Sequence, residues 1–254
     1  MSDKTASGTK IAKLRVQVII PTYNERENIG KVLAALDDIV RSSPFEWHVL
    51  VVDDNSPDGT GEEVKAISLR KEYLQLLSRK GKMGLGTAYL DTFRFVIPRI
   101  DPDIIVQMDS DLSHPVRLLP EMISCIIHGS DIVIASRYVP GGGSTDWGWS
   151  RKLTSKGANW LARSILGIET SDATSGYRAL NRNAAKVLLQ AKPQNKGYGY
   201  QVESIYLGSK FGLKIEEIPF TFEKRESGST KLSMLEILSF LRMLLRLKFR
   251  HIQR

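Results

Sequence analysis

The stretch 104-IIVQMDSDLSHP-115 decides how the rest of the chain is read. Mostly apolar residues from Ile104 to Met108 stop at two carboxylates one residue apart, Asp109 and Asp111, with Ser113 and His114 just beyond. A short apolar run that ends in polar residues reads as a buried strand. Residues two apart on an extended chain point the same way, so both acids would share one face. Left alone they repel each other, and a hard divalent cation such as Mg²⁺ or Mn²⁺ relieves that repulsion. Such ions take oxygen ligands, keep several waters and bridge a carboxylate or two to a substrate phosphate. Ser113 could add a hydroxyl. The plain alternative is an exposed acidic loop, and D-x-D on its own does not choose between them.

Working outward, the same pattern recurs. VQVIIP, WHVLVVDD, LQLLS, IIVQM and DIVIAS read as strands, with helical periodicity over Glu25–Val40, Glu62–Tyr73, Thr87–Ile97 and Leu118–His128 between them. This βαβ rhythm predicts an α/β fold, a mostly parallel sheet flanked by helices, whose ligands gather at the carboxyl ends of the strands. Those ends read PTYNE, DDNSPDGT, SRKGKMGLG, DSDLSHP and SRY, each polar or glycine-rich. Past Tyr138 the rhythm breaks at VPGGGSTDWGWSRK, a long loop of the kind that is usually functional. Helices over Arg151–Leu166 and Tyr200–Phe211 and a strand in KIEEIPFTF follow. No repeat or linker divides the chain, so it reads as a flexible N-terminus (1–12), one catalytic domain (13–231) and a C-terminal amphipathic helix (232–254).

Composition narrows the function classes. The 254 residues carry 36 Lys and Arg against 28 Asp and Glu, a formal charge of +8, which calls for an anionic partner. MSDKTASGTK lacks the apolar core of a secretory signal. The lone Cys125 forms no internal disulfide, and in MISCIIHG it reads as a buried thiol in a reducing setting. The histidines at 48, 114, 128 and 251 lack zinc-ligand spacing. No uncharged run approaches the roughly 18 apolar residues of a spanning helix. Nucleic acid is not expected, since no aromatic-basic motif of an RNA module accompanies the charge.

Several motifs also have ordinary readings. Asn24 and Glu27 have the spacing of a capping box, and DDNSPDGT contains the residues of any tight turn. KGKMGLG matches neither the dinucleotide nor the P-loop spacing, although a basic glycine-rich helix entry can face an anion.

Taken together, PTYNERENI, VVDDNSPDGT, MGLGTAY, DSDLSHP, ASRYVPGGG, WGWSRKLTSKGAN, SGYRAL and RESGSTK occur in an order that resembles the polyprenyl-phosphate glycosyltransferases of family 2, with the GT-A fold, and among them the dolichol-phosphate mannosyltransferases. The resemblance spans about Val16 to Lys231. It implies that Pro21, Tyr23 and Glu25 hold the donor's base, that Val52 and Asp54, with Asp53 beside them, meet the nucleoside, and that Asp109, Ser110 and Asp111 lie against the sugar diphosphate. Asp109 and Asp111 would bind the metal, with Ser113 as the next ligand. Ser110 stands where many relatives have Ala. Arg137, Arg225 and Lys231 match positions that grip donor or acceptor phosphates, and Arg151 and Ser155 match the acceptor-phosphate side. Asp109, Asp111 and Arg225 are thus the expected catalytic set.

The reaction so implied moves mannose from GDP-mannose to dolichyl or another polyprenyl phosphate, with Mg²⁺ or Mn²⁺, at the cytoplasmic face of a membrane. That membrane would be the endoplasmic reticulum in a eukaryote and the plasma membrane in a prokaryote. Such relatives can depend on small membrane partner subunits. Glucose or another sugar is the rival within the class, and a catalytically silent membrane-associated scaffold is the rival outside it. Near the end, Leu235, Leu238, Leu241 and Leu245 recur at helical spacing beside Arg242, Arg246 and Arg250. That pattern fits a basic helix lying in a membrane interface or one docked on the sheet.

Overall fold

The computed structural model describes residues 13–145, 147–222 and 234–250. The expected flexible segment 1–12, and Arg225 and Lys231, lie outside the described residues. The elements run β1 (Arg15–Thr22), α1 (Arg26–Ser42), β2 (Glu46–Asp53), α2 (Thr60–Ser68), β3 (Leu74–Ser78), α3 (Leu85–Val96), β4 (Ile104–Gln107), α4 (Leu119–Ile127), β5 (Ile132–Ser136), β6 (Gly143–Ser144), α5 (Trp149–Leu166), β7 (Arg178–Asn181), α6 (Arg182–Ala191), α7 (Gly199–Lys210), β8 (Ile215–Pro219), β9 (Thr221–Phe222) and α8 (Met234–Lys248).

Seven strands form one sheet in the order β3-β2-β1-β4-β7-β5-β8. Its described pairings are parallel except those of β7, which runs antiparallel between β4 and β5. The expected mostly parallel α/β sheet is borne out. Its strands are nearly continuous apolar runs because both faces are covered, as parallel sheets require. Val16, Val18, Ile20, Val49, Val51 and Val106 face the layer of α1, α2 and α4. Ile19, Leu50, Val52, Ile105 and Ile134 face the opposite layer, where α3 and α5 to α8 contribute.

The reversed strand positions the site. Arg178 opens β7 opposite Gln107 of β4 and Ile134 of β5. The segment leading into β7 therefore arrives at the same edge as the carboxyl ends of β1, β2, β4 and β5. Neither β7 nor α6 was expected from periodicity. RALN is too short to show a period, and its first residue is a buried arginine.

Other expectations are corrected. Helix α2 stops at Ser68, not Tyr73. KIEEIPFTF is two strands in two sheets, because β9 leaves the main sheet and pairs with β6 of the glycine-rich loop. No capping box forms at Asn24: its φ is 59°, and its N–H donates to Ser56 Oγ at 3.0 Å. The helix start is held from the next loop instead, where Asp58 accepts from the Arg26 N–H at 3.1 Å. In α8, Leu244 and Leu247 are buried while Leu238 and Leu245 are 51% and 49% exposed, as is Phe249 just past its end at 80%. The leucine stripe picked out from the sequence thus faces partly outward, and the helix docks through a neighbouring one. No described helix is long and apolar enough to cross a membrane.

The glycine loop before α3 packs tightly on residues 195–196. A Cβ on Gly86 would lie 2.2 Å from the Asn195 carbonyl oxygen and 2.8 Å from Tyr200 Cβ. Gly86→Ala is therefore expected to lower stability by about 1–3 kcal/mol through overpacking. The shift in urea midpoint measures this, and an unchanged midpoint would contradict so close an approach.

Candidate active site

At the ends of β1 and β2 the register sets Pro21 beside Val52 and Thr22 beside Asp53. Tyr23 is exposed just beyond, with the Lys82 ammonium 4.5 Å above its ring centroid. Asp53 is buried and closes its own turn, accepting from the Ser56 N–H at 3.0 Å. Asp54 faces the other way: Arg79 Nε donates to its Oδ1 at 2.6 Å, and the Met83 N–H to its Oδ2 at 3.2 Å. Arg79 also reaches Thr87 Oγ1, Asp91 and the Gly84 carbonyl. Its charge therefore organises the glycine loop, and Lys80 and Lys82 are left as that loop's outward cations. Glu25 accepts from Asn28 Nδ2 at 2.9 Å at the start of α1. Pro21, Tyr23, Glu25, Val52 and Asp54 thus lie along one stretch of sheet edge.

The D-x-D triplet lies past β4, not on it, because pairing ends at Gln107. The extended geometry inferred from spacing is replaced by a tight bend in which Leu112 has φ 61°. Asp109 keeps 28% of its side chain exposed, whereas Asp111, Ser110 and Ser113 are buried. The Ser113 N–H and hydroxyl both donate to Asp111 Oδ1, the former at 3.1 Å, so Ser113 orients that carboxylate from behind. The Asp109 N–H donates to His114 Nδ1 at 2.9 Å. A neutral His114 then carries its proton on Nε2, which lies 3.7 Å from Asp109 Oδ2. The ring is buried and stacked on Tyr177, centroids 4.7 Å apart, so His114 props the bend.

The end of β5 supplies Arg137, bound bidentately to Asp172 with both contacts at 2.7 Å. Burial alone would push the Asp172 carboxyl up, but the hydrogen bonds and charge of Arg137, with the Thr174 hydroxyl, outweigh it and hold the carboxyl below its ordinary 3.8. Burial likewise opposes the Arg137 charge, and Asp172 reverses that, leaving its pKa raised. Asn159 of α5 joins the cluster through Thr174. Ser155 hydrogen-bonds the Tyr138 side chain.

A cavity of about 150 Å³ brings together Asp109, Arg137, Arg151, Trp147, Tyr198 and Gln201. The Arg151 guanidinium lies 4.2 Å from the Trp147 ring centroid. Gln201 is 2% exposed, and neither amide atom has a hydrogen-bond partner. Leaving a buried amide unpaired is costly. Gly176 keeps the way open: a Cβ there would lie 3.2 Å from Gln201 Nε2. Behind the cavity Arg178 is 1% exposed, donating to Ser204 Oγ and the Ala173 carbonyl, and burial lowers its pKa to about 10. It stays charged at neutral pH and adds positive potential to this edge. Sequence reading missed Gln201, Gly176, Asp172 and Arg178. Gly176 and Arg178 stood inside SGYRAL, but nothing in the order of residues shows which cavity they meet.

Among the described residues no three His, Cys, Asp or Glu side chains gather as a metal-ligand group. The carboxylates of Asp109 and Asp111 and the Ser113 hydroxyl are oxygen donors, which suits a hard cation that keeps much of its water.

A mostly parallel sheet whose strand ends carry this acidic bend and these buried cations matches a nucleotide-sugar transferase fold. The chain belongs to Glycosyl transferase family 2, whose sequence profile matches residues 17–189. It is 38% identical over 220 residues to the polyprenol monophosphomannose synthase of Mycolicibacterium smegmatis, covering 86% of this chain and 81% of that one. It is 37% identical over 236 residues to the dolichol-phosphate mannosyltransferase of Pyrococcus furiosus, covering 92% of this chain and 64% of that one. The fold also matches glucosyl-3-phosphoglycerate synthase from Mycobacterium tuberculosis in complex with Mn²⁺, UDP-glucose and phosphoglyceric acid. That match has TM-score 0.66 and 20% identity, and covers 93% of this chain and 80% of that one.

Asp172→Asn leaves Arg137 buried without its counter-charge and is expected to cost about 3–5 kcal/mol. The pair's pH signature has a definite sign. Because the folded carboxyl is depressed, its contribution is complete above pH 3.8 and is lost as pH falls below that value. Denaturant titrations of both proteins across that range are expected to converge on acidification, and parallel curves would contradict the pair.

Proposed function

We propose that the protein is an inverting mannosyltransferase that moves mannose from GDP-mannose to a polyprenyl phosphate such as dolichyl phosphate. The observation that carries this reading is one cavity at the strand ends where Asp109, two arginines and the unpaired Gln201 amide converge. An acidic mount, cations and a hydroxyl-seeking amide are what a sugar diphosphate and an anionic acceptor need. The names of the two relatives support the choice of mannose and of a polyprenyl carrier.

In this reading Pro21, Tyr23, Glu25, Val52 and Asp54 receive the nucleoside, and Arg79 keeps Asp54 in place beforehand. Asp109 and Asp111 would hold Mg²⁺ or Mn²⁺, with Ser113 fixing the rotamer of Asp111 and available as a ligand itself. A cation there supplies neutralisation of the charge that gathers on the departing diphosphate. Gln201 would pair with sugar hydroxyls and so fix the anomeric carbon in line with the acceptor. Arg151, beside Ser155 on α5, would receive the acceptor phosphate from the other side, and guanidinium geometry suits phosphate oxygens. Arg137, locked to Asp172, contributes a fixed wall and its remaining donors. Arg225 and Lys231 would complete the phosphate grip.

A phosphomonoester has a second pKa of about 6 and reaches the site already anionic. No side chain has to remove a proton, so rate depends on alignment and electrostatics. Its lipid acceptor would keep the protein at the cytoplasmic surface of a membrane, as a peripheral enzyme.

Incubation with Mg²⁺, polyprenyl phosphate and a panel of labelled nucleotide sugars tests the reading. Label from GDP-mannose is expected in the lipid phase. Transfer of glucose alone would reassign the sugar, and transfer of nothing would favour the silent scaffold. Asp109→Ala is expected to abolish the metal-dependent transfer, and near-normal turnover would sink the metal assignment. Gln201→Leu keeps the shape of the side chain and removes its polar atoms. It is expected to lower kcat/KM for the donor by about 10-fold to 100-fold, the scale of one or two lost hydrogen bonds.

A further inference from the structure

On the far side of Arg137 lies a second, larger groove of about 490 Å³, lined by Arg137, Lys152, Lys156, Asn159, Trp160 and Arg163 among others. Apart from Arg137, its cations come from one helix. Lys152, Lys156 and Arg163 recur on α5 at spacings of four and seven, with Asn159 between them, so they project along one stripe. Among the described residues no carboxylate lines the groove. Among the described residues none of these three cations forms an ion pair, in contrast to Arg137, which Asp172 neutralises. Three like charges held on one face attract an anion.

Helix α5 also explains which anion. Trp149, Leu153 and Trp160 stand 79%, 64% and 66% exposed on the stripe adjoining the basic one, while Ala162 and Leu166 face the core. Helix α8 packs against α5 and adds exposed Leu238, Leu245 and Phe249 next to exposed Arg242, Arg246 and Lys248. Tryptophans bordering cations are the arrangement favoured where acyl chains give way to headgroups. We propose that the α5 groove is a binding site for the phosphate of an anionic phospholipid headgroup, separate from the cavity at Asp109, with the α5 and α8 apolar stripes entering the bilayer beside it.

The site goes beyond the transfer reaction, and its readout is lipid binding, so loss of transfer and loss of binding are separate results. The full chain is sedimented with vesicles of phosphatidylcholine alone or containing phosphatidylglycerol. Binding is expected only with the anionic lipid. Two variants with the same loss of charge are compared: Lys152→Gln/Lys156→Gln/Arg163→Gln in the groove and Arg242→Gln/Arg246→Gln/Lys248→Gln on α8. Near an anionic surface three charges account for about 100-fold in affinity. The groove variant is expected to lose that much and the α8 variant clearly less. Equal losses, or a larger loss from α8, would mean diffuse attraction and overturn the site. The charge-keeping variant Lys152→Arg/Lys156→Arg/Arg163→Lys is expected to bind as the parent protein does, and its failure would also overturn it. Calorimetry with inorganic phosphate and glycerol 3-phosphate separates the sources. Tight binding of either, lost in the groove variant, would make the ligand a soluble phosphate and reject the lipid.

Discussion

The bidentate pair between Arg137 and Asp172 is the constraint on which the functional edge depends. Asp172 is fully buried, and three chain segments meet at it: the end of β5 through Arg137, α5 through Asn159, and the approach to β7 through Thr174. Glu217 of β8 secures the same turn by accepting from the N–H groups of Ser171 and Asp172 at 2.7 and 2.9 Å. A buried charge pair is tolerated when its remaining hydrogen bonds are satisfied, and here each Asp172 oxygen accepts more than one. The wall it makes divides the small cavity at Asp109 from the basic groove along α5.

Charge is sorted by the same logic elsewhere on the edge. Arg79 pairs with Asp54 and Asp91 and shapes the glycine loop. His114 and Ser113 orient the acidic bend from beneath. Cations with internal partners are therefore scaffolding, and those without a partner among the described residues, such as Lys152, Lys156 and Arg163, face outward. Fixing polar groups before a ligand arrives lowers the reorganisation needed when charge moves. The formal charge of +8 says little by itself, and what matters is which of those charges the fold has left unbalanced.

The buried strands were legible because both faces of a parallel sheet are covered and leave continuous apolar runs, as in VQVIIP and IIVQM. The loops at their carboxyl ends were legible because they interrupt those runs with acids, glycines and arginines. Strand β7 was not, since four residues beginning with arginine carry no period, and its direction is set by neighbours distant in sequence. The outward turn of Leu238 and Leu245 in α8 was hidden for a related reason. Several leucine stripes were available, and only contact with α5 and α7 selects the one through Leu244 and Leu247.

By itself the sequence determined the alternation of strands and helices and the position of Asp109 and Asp111 after a core strand. These follow from local order: periodicity, turn chemistry and spacing are properties of neighbouring residues. The tertiary structure alone decided that Asp111 lies beneath its bend while Asp109 reaches the cavity, that Arg137 is neutralised by Asp172, and that Gln201 is left without a partner. Each of these depends on which groups from distant segments meet, and on whether burial leaves them paired.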